Sequence, residues 1–102
     1  MVYNEFSPNI WEPACGGNHL ANVLKARGYN VRCSDIIDRL HDGTIEVIDF
    51  LEQDEKFDGD IITNPPYKYV TEFVNKAMDT ITDGHKVMMF LIYVLRLRSP
   101  LC

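Results

Sequence analysis

Long hydrophobic runs are missing from this 102-residue chain. The longest apolar stretch, Val87 to Leu95, falls far short of the roughly 20 residues a membrane helix needs and suits a strand buried on both faces. The opening Met1-Val2-Tyr3-Asn4-Glu5 has neither a basic nor an apolar region, so it does not read as a signal peptide. Cysteine is scarce: Cys15, Cys33 and Cys102 make an odd count without Cys-x-x-Cys spacing, which reads as reduced thiols in a cytoplasmic protein. His19, His41 and His85 lie far apart and show no ligand spacing. Cys15 and His19 are four apart but lack a third and fourth ligand, so no metal site is expected. Positive charge is also short. Ten Lys and Arg stand against fifteen Asp and Glu, a net charge of −5, which argues against a strongly nucleic-acid-binding module. Only Lys68, Arg96 and Arg98 look placed.

What remains is ordinary for one soluble globular domain spanning 1–102: 46% apolar and 25% charged residues, with a modest core. Residues 1–8 are polar and turn-like. Ile10-Trp11-Glu12 reads as the end of a first strand, and Pro13 to Asn18 as a small-residue loop. Leu20, Val23, Leu24 and Arg27 recur at helical spacing within His19 to Arg27, and Gly28 is a natural stop. Tyr29 to Ser34 alternates like a second strand ending at Asp35. Residues 10–35 thus form one strand–loop–helix–strand unit, the building block of a parallel sheet. Ile36 to Gly43 is a loop or short helical turn, Ile45 to Ile48 a third strand, Glu52 to Gly59 an acidic segment with a short helix, and Asp60 to Thr63 a fourth strand. Val70, Phe73, Val74, Ala77, Met78 and Ile81 form a core-facing stripe on a helix over Tyr69 to Ile81. Thr82-Asp83-Gly84 ends it, and Lys86 to Leu95 is the fifth strand.

Asn64-Pro65-Pro66-Tyr67 falls where a buried strand ends and a helix begins. Ligands of open α/β sheets bind beyond the carboxyl ends of the strands. The prolines stiffen the turn. The Asn64 side-chain carbonyl and the Pro65 main-chain carbonyl can then accept from one planar amino group, with Tyr67 flat against the ring that carries it. The plainer alternative is a proline turn capping a strand.

Gly16 and Gly17 let a backbone approach a ligand closely at a helix N-terminus; the plainer reading is a tight turn. Asp35 lies nineteen residues after Gly16, the distance at which such folds place a carboxylate on ribose hydroxyls; its plainer reading is a solvated turn residue. Asp49 can accept from an adenine amino group and Phe50 can pack on the purine; the alternative is a helix N-cap followed by a core Phe. Glu12 either holds loop amides or meets an ammonium, since a buried carboxylate without partners is costly.

Trp11 to His19, Ser34-Asp35, Asp49-Phe50 and Asp60 to Tyr67 together resemble the amino-group DNA methyltransferases, with closest similarity to phage and prophage adenine methyltransferases. The resemblance spans about residues 10–90. It implies a Rossmann-like α/β sheet of about five mainly parallel strands with flanking helices. S-adenosylmethionine is the implied cofactor: the loop Glu12, Pro13, Ala14, Cys15, Gly16 and Gly17 meets its methionine, Asp35 its ribose, and Asp49 and Phe50 its adenine. Asn64, Pro65, Pro66 and Tyr67 form the implied catalytic motif. The implied substrate is an adenine flipped out of DNA, in the cytoplasm of a bacterial or phage-infected cell, with no membrane or metal. Where the family commonly has glycine this chain has Asn18, which tolerates left-handed backbone. Two alternatives stand beside this reading: a protein glutamine methyltransferase, which also uses Asn-Pro-Pro-Tyr, and a non-catalytic remnant or interaction module. Family domains continue past the fifth strand and carry an element before the first. The expectation is therefore a fold incomplete at its C-terminus, with weak cofactor binding, no detectable DNA methylation, and an unpaired sheet edge open to self-association.

Overall fold

The computed structural model describes residues 6–90. Five strands, β1 (Asn9–Glu12), β2 (Asn30–Asp35), β3 (Glu46–Val47), β4 (Asp60–Thr63) and β5 (Val87–Met89), form one sheet in the order β3-β2-β1-β4-β5. Every pairing is parallel. Two helices, α1 (His19–Ala26) and α2 (Val70–Thr80), cover it. The chain runs outward from β1 to β3 on one side, then returns to β4 and β5 on the other. The strand order reverses between β1 and β4, so their carboxyl ends open a crevice. The α/β class and the parallel sheet follow the sequence reading; the fifth strand stops at Met89, short of Phe90, and Met88 is exposed rather than buried, while the expected continuation over 91–95 lies outside the described residues.

The helix ends follow from local chemistry. Gly28 has φ +95°, its amide bonds Lys25 O, and the Tyr29 amide bonds Leu24 O. This paired left-handed closure stops α1. The α2 helix is entered through a 3₁₀ turn at Tyr67–Tyr69, because Pro66 holds an extended backbone (φ −58°, ψ 130°) immediately before it.

Successive strand residues face opposite sides of a sheet, and here both sides are packed. One side holds Trp11, Phe50, Ile61, Phe73 and Ala77. The Trp11 ring meets Phe50 edge-on at 5.3 Å, and Phe50 lies 5.3 Å from Phe73; such pairs are worth about 0.5–1.5 kcal/mol beyond area burial. The Trp11 indole N–H donates to Ser34 Oγ at 2.9 Å. The other side holds Cys15, Ala21, Cys33 and Ile45.

Three expectations need correction. Glu52 to Gly59 forms no helix. The Phe57 amide instead donates to Thr80 O, the Thr82 amide donates to Phe57 O, and Phe57 bridges Ile81 in parallel. Long-range pairing takes the backbone groups that a local helix would have used. The third strand is two residues long rather than four. The helical stripes are only partly buried: Phe73 and Ala77 are interior, but Met78 and, on α1, Val23 face solvent.

At the amino ends of the strands, buried Asp60 ties three segments together. It accepts from the Ser7 amide (2.6 Å) and the Lys86 amide (2.8 Å), and His85 Nδ1 lies 3.3 Å away. His85 Nε2 sits 2.9 Å from Asp58, which also accepts from the Thr82 hydroxyl. Among the described residues no helix is long and apolar enough to cross a membrane.

Candidate cofactor and substrate site

The carboxyl ends of the strands enclose a cavity of about 300 Å³. Pro13 and Ala14 come from the loop after β1, Asp35 and Ile36 from the end of β2, and residues Ile48 to Glu52 from the turn after β3. Pro66, Tyr69 and Phe73 close it from beyond β4. The structure thus brings Asp35 and Asp49 to one cavity, beside the Asn-Pro-Pro-Tyr segment. Three carboxylates line it, those of Asp35, Asp49 and Glu52, with no Lys or Arg among the lining residues.

The glycine loop is held from within. Gly16 has φ +51°, and its amide donates to Asp35 Oδ2 at 2.7 Å. Asp35 Oδ1 accepts from the Ile36 amide at 2.7 Å. The Cys15 amide donates to Ser34 O and the Asn18 amide to Cys15 O. Asn18 carries φ +71°, a left-handed position that glycine fills without strain and that Asn tolerates better than most residues. Of the two roles open to Glu12, holding loop amides therefore falls instead to Asp35. Each Asp35 oxygen keeps a second acceptor direction.

Glu12 is the electrostatic anomaly. It is 1% exposed, and its Oε1 has no hydrogen-bond partner. Burial, reinforced by the neighbouring Asp35 charge, pushes its carboxyl up to about 8, with the Thr63 hydroxyl pulling the other way. The Thr63 Oγ1 and Asn18 Oδ1 atoms are likewise buried without partners. Cys15 and Cys33 are buried thiols. Burial, with Cys33 and then Glu12 and Asp35 nearby, pushes the Cys15 thiol up to about 12. A thiol so raised is no nucleophile.

Phe50 is chiefly a core residue, 2% exposed between Trp11 and Phe73, with an edge on the cavity. Asp49 Oδ1 accepts from the Leu51 amide at 3.2 Å, closing a tight turn. On the substrate side Pro65 is buried, while Asn64, Pro66 and Tyr67 are exposed, Tyr67 to 75%. Gly17 is exposed and lies against His19. Ile36, Leu51, Glu52 and Tyr69 line the cavity without having been singled out in the sequence; their adjacency to the strand-end acids and to the proline motif was the available signal.

Among the described residues no group of three or more His, Cys, Asp or Glu side chains is placed to hold a metal ion. Comparison of the chain with family models, with curated proteins and with solved structures gives no match.

Proposed function

We propose that this chain binds S-adenosylmethionine in the switch-point cavity and directs methyl transfer to the exocyclic amino group of an adenine in DNA. The observation that carries the reading is the chemistry of the cavity wall. A crevice at the strand-order reversal suits a nucleoside cofactor, but a phosphate-bearing one would meet three carboxylates and no basic side chain. The Gly16 amide, which an anion at a helix N-terminus would take, is already occupied by Asp35. An adenosine carrying positive charge and hydroxyl donors matches these walls better than a dinucleotide does. The orphaned Glu12 oxygen behind the loop matches an ammonium.

The cofactor supplies an electrophilic methyl group on its sulfonium. Pro13, Ala14 and the glycine loop would hold its amino-acid end, Asp35 its ribose hydroxyls, and Asp49 its base. Asn64 and the Pro65 carbonyl accept from the substrate amino group, which frees the nitrogen lone pair from ring conjugation. Tyr67, projecting into solvent, offers a face to an extruded base. Pro65 is buried, which would hold the turn that presents the two acceptors, so catalysis would come from positioning and electrostatics.

Isothermal titration calorimetry with S-adenosylmethionine tests the cofactor half. Labelled-methyl transfer to adenine-containing duplex DNA, set beside a glutamine-containing peptide, tests the rest. Cofactor heat together with DNA labelling that is lost in Asn64→Ala supports the reading in full. Labelling of the peptide alone assigns the protein substrate, heat without labelling of either assigns a non-catalytic binding module, and no heat overturns the proposal.

A further inference from the structure

We propose that the Asp83–Gly84 peptide is a site of spontaneous main-chain modification: the Asp83 carboxyl closes on the Gly84 amide to a succinimide, which opens to isoaspartate. The inference lies at the opposite end of the sheet from the cofactor cavity and does not depend on it. Such closure favours Asp-Gly steps, because glycine has no side chain to hinder its amide and rotates freely. The chain has three of them, Asp42-Gly43, Asp58-Gly59 and Asp83-Gly84, and their surroundings differ.

Two are held. The Gly43 amide, the attacking group of the first, donates to Asp38 Oδ2 at 2.9 Å. Asp42 Oδ1 accepts from the Thr44 hydroxyl at 2.8 Å and the Thr44 amide at 3.1 Å, bonds that hold this carboxyl below its ordinary value and so ionised. In the second, Asp58 Oδ1 lies 2.9 Å from His85 Nε2 and accepts from the Thr82 hydroxyl at 3.0 Å, which lowers it likewise. Gly59 is buried so tightly that a Cβ there would stand 2.4 Å from Asn9 O, which leaves the peptide no room to rotate.

Asp83 and Gly84 are both exposed, and among the described residues neither the Asp83 carboxyl nor the Gly84 amide has a hydrogen-bond partner. They are the central pair of a turn, with Gly84 at φ +89°. The turn is closed by the His85 amide on Thr82 O at 3.3 Å, longer than the usual bond. Opening that one bond frees the peptide to swing toward the carboxyl. Each further hydrogen bond that must open first costs roughly a two- to tenfold loss of the reactive population.

In the closure, the Gly84 nitrogen bonds to Asp83 Cγ, and the carboxyl hydroxyl leaves with the amide proton as water. An ionised carboxylate held by donors supplies no such leaving group, which protects Asp42 and Asp58. Water then adds back. At the side-chain carbonyl it restores aspartate; at the main-chain carbonyl it breaks that carbon's bond to nitrogen and routes the chain through Cγ. The product has the mass of the starting chain, and water is the sole reagent. One extra main-chain carbon then stands just before His85 and Lys86, whose ring and amide meet Asp60. The modification thus slackens the tether that starts β5.

The test is prolonged warm incubation of the full chain at neutral pH, with a second sample kept unfolded in urea. Trypsin then places the three steps in separate peptides, Leu40 to Lys56, Phe57 to Lys68 and Ala77 to Lys86. Electron-transfer fragmentation reads isoaspartate in each, and a transient loss of one water marks the succinimide. In the folded chain residue 83 should convert at least about tenfold faster than residues 42 and 58, and in urea the three rates should converge. The urea midpoint of the folded sample should fall as residue 83 converts. Asp83→Glu, whose longer side chain would need a six-membered ring, should show neither change. Conversion at 42 or 58 as fast as at 83 in the folded chain, or none at 83, overturns the proposal. A midpoint that stays fixed while residue 83 converts overturns the slackened tether.

Discussion

Replacing Asp60 by alanine removes the acceptor shared by two chain segments that are otherwise far apart in sequence. The carboxylate is 1% exposed and takes the Ser7 amide on one oxygen and the Lys86 amide on the other. Hydrogen bonds to a charged acceptor are worth about 1.5–3 kcal/mol each. Both amides are only partly buried, so water replaces some of the loss, and the lower end of the range applies twice. Asp60→Ala should therefore cost about 3–4 kcal/mol, a large share of the roughly 5–15 kcal/mol that holds a typical domain folded. Asp60→Asn keeps one carbonyl oxygen for one amide but turns an NH2 donor toward the other. It should cost about half as much, roughly 1.5–2 kcal/mol. Urea unfolding followed by the fluorescence of Trp11, the single tryptophan and fully buried, reads both variants. The midpoint should fall with little change in slope. A loss below about 1 kcal/mol for Asp60→Ala would show that strand pairing alone holds the segment before β1 and the start of β5, and the reasoning would fail.

Further outcomes follow from the site. Glu12 titrates higher folded than its ordinary 4.5, at about 8, so the folded state binds the extra proton. Its contribution is fully present below about pH 4.5 and is lost as pH rises towards 8. Glu12→Gln should then leave urea stability near unchanged at pH 5 and raise it by about 2–4 kcal/mol at pH 8; equal effects at both values would refute a buried, proton-holding carboxyl. Gly16→Ala meets no atom within 4 Å but keeps φ +51°, so thermal unfolding should show a strain cost of about 1–2 kcal/mol. Asn18→Gly should be neutral within a few tenths of a kcal/mol, whereas Asn18→Ala at φ +71° should lose about 1 kcal/mol. Tyr67→Ala should weaken binding of a DNA duplex carrying a flipped adenine by about 1–3 kcal/mol and leave cofactor heat unchanged; equal losses in both would make the ring structural.

Local signals in the sequence were sufficient where the chain itself decides the geometry. Gly28 ends α1 because its left-handed backbone closes the helix with its own carbonyls, and the strand-end acids stand where apolar runs stop. Distant partners were invisible. Glu52 to Gly59 reads as an acidic segment with a short helix, yet Phe57 pairs with Ile81, and the Lys56 ammonium reaches Asp79 O. Arg32 looked like one more scattered charge in an alternating strand. It lies 4.1 Å over the Trp11 ring and bonds Glu46 and Glu55, shielding the aromatic core at the sheet. In the site, the acids and the proline motif were legible as residue types at strand ends. That Asp35 would spend its oxygens on the Gly16 and Ile36 amides while Glu12 kept an empty one depends on burial, which no spacing reveals.

The reversal of strand order has a kinetic side. Residues β1–α1–β2 and β4–α2–β5 are each local strand–helix–strand units, whereas the seam between them joins Ile10 to Asp60 and Trp11 to Ile61, fifty positions apart. Closing so long a loop is what slows folding in chains of high contact order, so the β1–β4 seam should be the slow step of folding. The exposed turn from Arg39 to Thr44 is where such a chain tolerates cleavage. Cut there, the two pieces would retain one unit apiece and two complementary strand pairings, β1 with β4 and β2 with β3. The cavity draws its walls from both pieces, Pro13 to Ile36 from one and Ile48 to Phe73 from the other, so only their reassembly through those pairings would restore it.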